Sequence, residues 1–520
     1  MSQPIEGPMP ESPEEHDSVS SRRQGWPDYA TVWRWHFYAG LFCIPFVIVL
    51  SITGTIYLFR PQIEAFQERG YDRLPVTNTM AQPYAEQIRA AVQNVPDSRF
   101  AALELPAADS SATRSADQTV ATRVIVDQAG RRVRVYVDPN DASVLGAVVE
   151  NERFIRVVRR IHGELLLGKR GSYLVELAAS WTIVMVVTGM VLWLPRKLRA
   201  AGVLYPRLFQ RGKTFWKDLH SVGGFWASGL IVFLIATGLP WSTFWGDYFK
   251  SVRRVTGTAV IQQHWDGGHG KKSEQVLPST GSGHEGHAGH EGHDQALQSS
   301  KQGLPPAGPA WRTPVPDPTS YDVEQIAGVA QVATTLDFMP PIVVSPPTAG
   351  DAVWTIKSET ANRPYQQTVR LDAETGKTIS HERFADRHWV DRWVGQGIAL
   401  HEGQRFGLAN QLIALFATVS LVMLSCTGLL LWWRRRQAFK RSRDEAAIGW
   451  LPPPRRGAAD QATTIVPSGR LWMAAVLTVA LAIYLPIFAL SLSIVLILDR
   501  FVLSRWRGLS ARGPTDVAAG

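Results

Sequence analysis

The sequence contains only two cysteines in 520 residues. Two thiols exclude a disulfide-rich secreted scaffold and any four-cysteine zinc or iron–sulfur site. No Cys-x-x-Cys-His motif is present, which argues against covalently attached haem. No Gly-x-Gly-x-x-Gly motif follows a predicted strand, so we do not expect this chain to use NAD(P)H directly. The length exceeds that of one ordinary core and predicts several domains.

Charged residues are nearly absent from five long windows, in which Glu176 is the single charge. Because about 20 apolar residues span the hydrocarbon core of a bilayer, and every window is longer than that, the pattern predicts an integral membrane protein. No small-residue cleavage site follows the first window, which is therefore expected to be an uncleaved anchor. The windows are residues 37–59, 172–194, 221–245, 409–433 and 471–498.

Basic residues are concentrated in two short loops. The loop 195–220 carries seven Lys or Arg residues and one Asp, and the second loop begins with three arginines at 434–436. Short basic loops stay in the cytoplasm, so the N-terminus is predicted inside and the long segments 60–171 and 246–408 outside. The net charge of +9 is then a consequence of topology, and nucleic acid is not an expected partner.

The two outer segments predict small α+β domains. The first has a helical pattern at 83–95 and strand patterns at 122–127 and 133–138. The second has a helical pattern at 321–333 and strand patterns at 352–357 and 366–371. The complete division is a cytoplasmic segment 1–34, spans within 35–59, 161–194, 220–245, 401–433 and 471–498, outer domains 60–160 and 246–400, cytoplasmic loops 195–219 and 434–470, and a tail 499–520.

A stretch rich in Gly, His, Ser and Pro, residues 264–318, is predicted to be a disordered linker. Neutral imidazoles collect divalent metal ions, so a solvated linker and a metal-gathering tether both remain open. The N-terminal segment 1–25 and the tail after Arg512 are also predicted to be disordered.

Four histidines recur at fixed distances from four glycines, which indicates an internal repeat. Each half of the repeat is read as helix, outer domain, helix. The fold class is therefore a membrane α-helical bundle with four core helices in two repeats, a fifth C-terminal span, and two extracytoplasmic α+β domains. The spacing from His36 to Gly54 equals that from His220 to Gly238, and the spacing from His162 to Gly189 equals that from His401 to Gly428.

The spacing from His36 to Gly54 corresponds to about five helical turns, or about 27 Å of rise. His36 and His220 are therefore predicted to form one pair at the cytoplasmic face, and His162 and His401 a second pair at the outer face. Paired imidazoles are typical axial ligands of a haem that transfers electrons.

Glycine lacks a Cβ atom and leaves flat space in which a haem macrocycle can lie. The competing interpretation is that the histidines are interfacial anchors and that the glycines pack helices. The candidate glycines are Gly40, Gly224, Gly54, Gly238, Gly189 and Gly428.

Other polar residues near these pairs allow two interpretations each. Glu176 is a candidate for proton transfer or for a buried hydrogen bond, and Cys43 and Cys426 are expected to be buried structural thiols. Four basic residues are candidate partners of haem propionates, although interfacial basic residues also act as topology signals. They are Arg34, Lys217, Arg159 and Arg160.

Four segments around the histidines resemble the PepSY-associated transmembrane family. They are WRWHFYAG (33–40), IHGE (161–164), KDLHSVGG (217–224) and LHEG (400–403), and the outer segments VDP and LDAETG resemble its PepSY modules. The resemblance covers residues 30 to 500. It implies an iron-regulated protein of the bacterial inner membrane, similar to ferrisiderophore reductases, with two b-type haems ligated by the four histidines.

We therefore expect an oxidoreductase, namely a di-haem b electron conduit that reduces an extracytoplasmic ferric chelate, such as a ferrisiderophore, and releases Fe(II). Its electrons are expected to come from a quinol or a separate cytoplasmic reductase. The alternative is a membrane-anchored PepSY regulatory or binding protein without a cofactor, acting on a peptidase or an envelope partner. In both cases the lipid bilayer is a partner.

Overall fold

The computed structural model describes residues 29–77, 80–105, 118–194, 200–256, 258, 325–348, 352–441 and 468–498. The His-rich linker, the N-terminal segment 1–25 and the C-terminal tail, for which the sequence predicts disorder, lie outside the described residues. Four helices are long and apolar enough to cross a membrane: Val32–Leu58, Lys169–Trp193, Lys213–Trp241 and Gly407–Arg436. They coincide with the first four apolar windows, so the predicted membrane class is confirmed.

Twelve α-helices occur in the described parts of the chain, and four of them, α1, α5, α6 and α10, form the bundle. The helices are α1 (Tyr29–Leu58), α2 (Arg60–Gln67), α3 (Tyr84–Asn94), α4 (Phe154–Glu164), α5 (Lys169–Trp193), α6 (Lys213–Gly238), α7 (Thr243–Val255), α8 (Gln325–Thr335), α9 (Trp389–His401), α10 (Gly407–Arg441), α11 (Ser468–Tyr484) and α12 (Pro486–Leu498).

In the bundle, α1 and α6 each pack against both α5 and α10, so α1 and α6 face each other diagonally. Two short helices, α4 against α1 and α9 against α6, cover the end of the bundle next to the β-sheet. We call this the sheet-side end and the opposite one the far end.

The fifth apolar window, predicted to be a span over 471–498, consists of two helices with a break between them. Helices α11 and α12 meet at Leu485, immediately before Pro486. Proline has no N–H to donate and its ring clashes with the preceding turn, so it interrupts a helix. Leu485 and Phe488 are buried against Trp181 of α5, so the interrupted segment still packs on the bundle.

The two predicted outer domains form one continuous eight-stranded sheet. Its strand order is β10-β9-β8-β7-β2-β4-β5-β6, and all neighbours are antiparallel. The junction is the β2–β7 pair, in which Leu103 is opposite Val344. The strands are β1 (Leu74–Pro75), β2 (Arg99–Leu105), β3 (Gln118–Thr119), β4 (Thr122–Gln128), β5 (Arg131–Val137), β6 (Val144–Val149), β7 (Ile342–Ser345), β8 (Val353–Ser358), β9 (Gln367–Asp372) and β10 (Thr378–Arg383).

One hydrophobic core lies beneath this sheet and joins the two halves. Ile88 of α3 and Ile326 of α8 are buried in the same cluster as Leu103, Val344 and Trp354 of the strands. The predicted helix at 83–95 corresponds to α3, and the predicted strands correspond to β4, β5, β8 and β9. The helix predicted at 321–333 is α8, which begins at Gln325; residues 321–324 are not described.

A half-buried ion pair fixes α4 to α2, and a buried ion pair fixes α9 to α7. Arg153, before α4, contacts Glu68, next to α2, at 2.6 Å. Arg253 of α7 pairs with Asp391 of α9. Removing one partner of such a buried pair is costly, because the remaining charge is left without a counter-ion. The positions of α4 and α9 are therefore held from the sheet side.

Candidate functional site

The structure brings together the two histidine pairs that the spacing predicts. At the far end, the ring centroids of His36 on α1 and His220 on α6 are 6.3 Å apart, with their planes at 85°. At the sheet-side end, His162 on α4 and His401 on α9 have centroids 6.4 Å apart and planes at 71°. The far pair thus connects the two diagonal helices.

The separation of the rings fits a metal ion between two imidazoles. Two metal–nitrogen bonds of about 2 Å, with about 1 Å from each nitrogen to its ring centre, place coaxial rings about 6 Å apart. Among the described residues, no group of three or more His, Cys, Asp or Glu side chains is arranged to hold a metal ion. Two protein ligands alone suit an iron whose other positions are filled by a porphyrin.

Each of the four imidazoles is held at Nδ1 by a threonine that the sequence analysis did not single out. Each threonine belongs to a different bundle helix and immediately precedes one of the four glycines. The distances from Oγ1 to Nδ1 are 3.1 Å for Thr53 to His162, 3.1 Å for Thr188 to His36, 3.1 Å for Thr237 to His401 and 3.0 Å for Thr427 to His220.

These contacts determine which nitrogen of each histidine carries the proton. Each threonine hydroxyl donates its only proton to the backbone carbonyl four residues earlier, at 2.7 or 2.8 Å. Its oxygen therefore accepts a hydrogen bond from Nδ1–H. The carbonyl oxygens of Met185 and Leu50, which can only accept, lie 3.0 and 3.1 Å from Nδ1 of His36 and His162. The lone pair of each imidazole is thus on Nε2, the form in which histidine ligates a metal.

The four glycines let the imidazole rings approach their backbone, and the expectation that they also leave room for a macrocycle stays a prediction. Without a side chain, each lets the ring of a neighbouring helix approach its backbone. A Cβ atom would lie 3.1 Å from Cε1 of His162 at Gly54, 3.0 Å from His36 at Gly189, 3.3 Å from His401 at Gly238 and 3.5 Å from His220 at Gly428.

The two other candidate glycines contact neighbouring side chains. A Cβ atom at Gly40 would lie 3.6 Å from Sδ of Met185, and one at Gly224 would lie 3.6 Å from Cδ2 of Leu424. Both partners lie one turn before the glycines that contact the far-end histidines. Gly40 and Gly224 therefore let α1 approach α5, and α6 approach α10, next to His36 and His220.

The sheet-side imidazoles are neutral at physiological pH. Burial, with a smaller contribution from His401, lowers the pKa of His162 to about 4. Burial also lowers the pKa of His401. Neutral imidazole is the form that binds a metal ion, so both rings are prepared for ligation without losing a proton.

The four basic candidates have different surroundings. Arg160 is exposed and contacts Glu164 at 3.4 Å, and Lys217 is also exposed. Arg34 is half-buried on α1. Arg159 is half-buried and its guanidinium group lies over the ring of Trp241. Arg159 and Lys217 precede His162 and His220, respectively, by three residues, and of these two only Arg159 is half-buried.

The structure also shows the surroundings of Glu176 and of the two cysteines. The carboxylate of Glu176 is buried, and Oε2 accepts hydrogen bonds from the backbone N–H groups of Phe244 and Trp245 at the start of α7. The hydrogen-bonding role is therefore present, and it anchors α7 to α5. Cys43 is buried as expected, but Cys426 is exposed on α10 because it faces away from the bundle, so the prediction that it is buried is wrong.

Comparison with curated proteins finds no match to this chain. The family model described as the PepSY-associated TM region matches residues 33–435, which include most of the four bundle helices, the eight-stranded sheet and both histidine pairs. The chain therefore belongs to the PepSY-associated transmembrane family.

Proposed function

We propose that the protein is a transmembrane electron conduit that binds two b-type haems and reduces an extracytoplasmic ferric chelate, such as a ferrisiderophore, to release Fe(II). The proposal rests on four Thr-Gly pairs, each of which contacts one histidine ring. In each pair the threonine fixes the histidine as the Nδ1–H tautomer. The four histidines form two pairs, and the spacing within each pair fits one metal ion.

A haem at each pair would supply an iron that alternates between Fe(III) and Fe(II) and so carries one electron at a time. The role of the chain is to hold the axial imidazoles neutral and correctly oriented. The two pairs are separated by the stretch of α1 from His36 to Gly54, which is about 27 Å of helical rise. That distance covers most of the hydrocarbon thickness of a bilayer.

The direction of the conduit follows from the basic loops. From the positive-inside rule we infer that the far end and the N-terminus face the cytoplasm and that the sheet lies on the opposite side. The family resemblance implies that this side is the periplasm of a bacterial inner membrane. A ferric chelate is too polar to enter the bilayer, so it must receive its electron at the sheet-side end. Each Fe(III) accepts one electron, and a quinol donor supplies two electrons while releasing two protons.

The test is the redox difference spectrum of the protein purified from haem-replete cells. We expect absorption bands of bis-histidine b-type haem and two haems per chain. A colourless, haem-free preparation would contradict the proposal. It would favour a membrane-anchored PepSY regulatory or binding protein that acts on a peptidase or an envelope partner without a cofactor.

A further inference from the structure

Two arginines that are distant in the chain meet at one indole ring. The guanidinium carbon of Arg159 lies 5.7 Å from the ring centroid of Trp241, and that of Arg363 lies 4.9 Å from it. Arg159 belongs to α4. Arg363 begins the 3-10 turn Arg363–Tyr365, which leaves the sheet and packs on α9. The indole is thus approached by cationic groups of two different elements.

This cluster lies one helical turn from His162 and one turn from Gly238, the glycine that the ring of His401 approaches. Arg159 precedes His162 by three residues on the same helix. Trp241 follows Gly238 by three residues, and a Cβ atom at Gly238 would lie 3.3 Å from Cε1 of His401. Because residues three apart share one helix face, Arg159 lies on the same face of α4 as His162, and Trp241 brings Arg363 to Arg159.

Neither guanidinium group is neutralised by a carboxylate within ion-pair distance among the side chains that the structure describes. Nε of Arg363 is buried without a hydrogen-bond partner. Burial and the neighbouring cations Arg156 and Arg363 lower the pKa of Arg159, and Tyr57 and Glu402 offset only part of this effect. Two half-buried cations side by side repel each other, and a bound anion would offset that repulsion.

Guanidinium groups bind carboxylates through two parallel hydrogen bonds, and two arginines match a ligand with two carboxylates. We propose that Arg159 and Arg363 bind the two propionate groups of the haem held between His162 and His401. This inference rests on the proposed function. It also assigns a role to the sheet, because Arg363 would then connect the extracytoplasmic part of the chain directly to the cofactor in the bundle.

The experiment compares Arg159→Gln, Arg363→Gln and the two matching Lys variants with the wild type. The readouts are haem stoichiometry, the midpoint potential of the sheet-side haem from an optical redox titration, and the rate of haem transfer to an excess of apomyoglobin. Arg254→Gln, a substitution of an exposed arginine on α7, is the control.

We expect the Gln variants to release the sheet-side haem about tenfold faster, the effect of losing one charge-assisted hydrogen-bonded pair. Their midpoint potential should fall, since removing a positive charge favours the ferric state. Lys restores the charge but not the bidentate geometry, so the Lys variants should recover the potential and still release haem faster. The control should match the wild type in all three readouts.

Three outcomes overturn the proposal, and they are distinguishable. If the wild type binds two haems and the Gln variants keep their potential and release rate, the arginines do not hold propionates. The same conclusion follows if only the half-saturating concentration of external ferric chelate changes, because the anion is then the substrate. If the wild type contains no haem, both the proposed function and the propionate-binding role of the two arginines are wrong.

Discussion

Thr53 and His162 lie 109 residues apart in the chain, yet Oγ1 of Thr53 is 3.1 Å from Nδ1 of His162. The hydroxyl also donates to the carbonyl of Val49 at 2.7 Å, so toward the imidazole it can only accept. A residue of α1 therefore sets the protonation of a residue on α4. The same relation recurs at the other three histidines.

Replacing Thr53 by valine should loosen the sheet-side haem and leave the far haem in place. The variant removes one acceptor of Nδ1–H, and loss of an outer-shell partner of a ligating histidine typically costs 10- to 100-fold in metal affinity. The measurement is haem retention against apomyoglobin. Thr55→Val is the control, because the Thr55 hydroxyl bonds Thr418 at 2.8 Å instead. Equal retention in both variants would show that the Thr53 contact is incidental.

Enlarging Gly54 should also displace the sheet-side haem, because the new side chain would occupy the place of the His162 ring. Overfilling a packed site costs about 1–3 kcal/mol. We expect Gly54→Ala to weaken haem binding and Gly54→Leu to abolish it at this pair only. Gly229→Ala on α6 is the control, since a Cβ atom there meets nothing within 4 Å. If Gly54→Leu keeps both haems, the contact between Gly54 and His162 is not needed for haem binding.

Substitution of Glu176 separates its two candidate roles. In Glu176→Gln the side-chain carbonyl still accepts the N–H groups of Phe244 and Trp245, whereas Glu176→Leu leaves both donors without a partner. If the role is structural, Gln should keep the melting temperature and chelate reduction close to wild type, and Leu should lower the melting temperature. A Gln variant that is stable but inactive would instead identify Glu176 as a proton carrier.

Acid should destabilise the attachment of the sheet to α4 through Glu150. Burial alone would raise the pKa of Glu150, but Arg134, Arg153 and Arg156 lower it to about 2, against an ordinary value of 4.5. Its contribution to the free energy of unfolding is complete above pH 4.5 and disappears as the pH falls to about 2, where the folded state also takes up the proton.

The check is the melting temperature between pH 7 and pH 2. Glu150→Gln should melt lower than wild type at pH 7, and the difference should shrink as the pH falls. Glu152→Gln is the control, because its contact with Arg131 at 3.1 Å is solvent-exposed and such pairs contribute little. Parallel curves for wild type and Glu150→Gln would contradict this explanation.

The sequence predicts the spans and the partners within each histidine pair, because hydropathy and helical spacing are local properties of the chain. It does not predict which helix faces each glycine. Nothing in the sequence identifies the ring of His162 as the neighbour of Gly54, since contacts between helices depend on packing angles. A signal for the threonines is nevertheless present, as each of the four glycines follows a threonine.

Contacts between residues that are far apart in the chain are likewise not predicted from the sequence. The pairing of Leu103 with Val344 joins strands that are far apart in the chain, and nothing in either strand alone specifies it. Arg363 lies in a 3-10 turn of the second outer segment, where the sequence pattern gives no indication that it reaches Trp241. By contrast, the interruption of the last apolar window is marked by Pro486.

The central claim is that each pair holds its own haem, and alanine substitutions in oriented vesicles test it most directly. We expect His162→Ala or His401→Ala to lose only the sheet-side haem and to block reduction of external ferric chelate, while the far haem is still reduced from the cytoplasmic side. His36→Ala should lose only the far haem and leave a sheet-side haem that dithionite reduces but cytoplasmic donors do not. If His162→Ala and His36→Ala deplete the same single haem, the two-pair account is wrong.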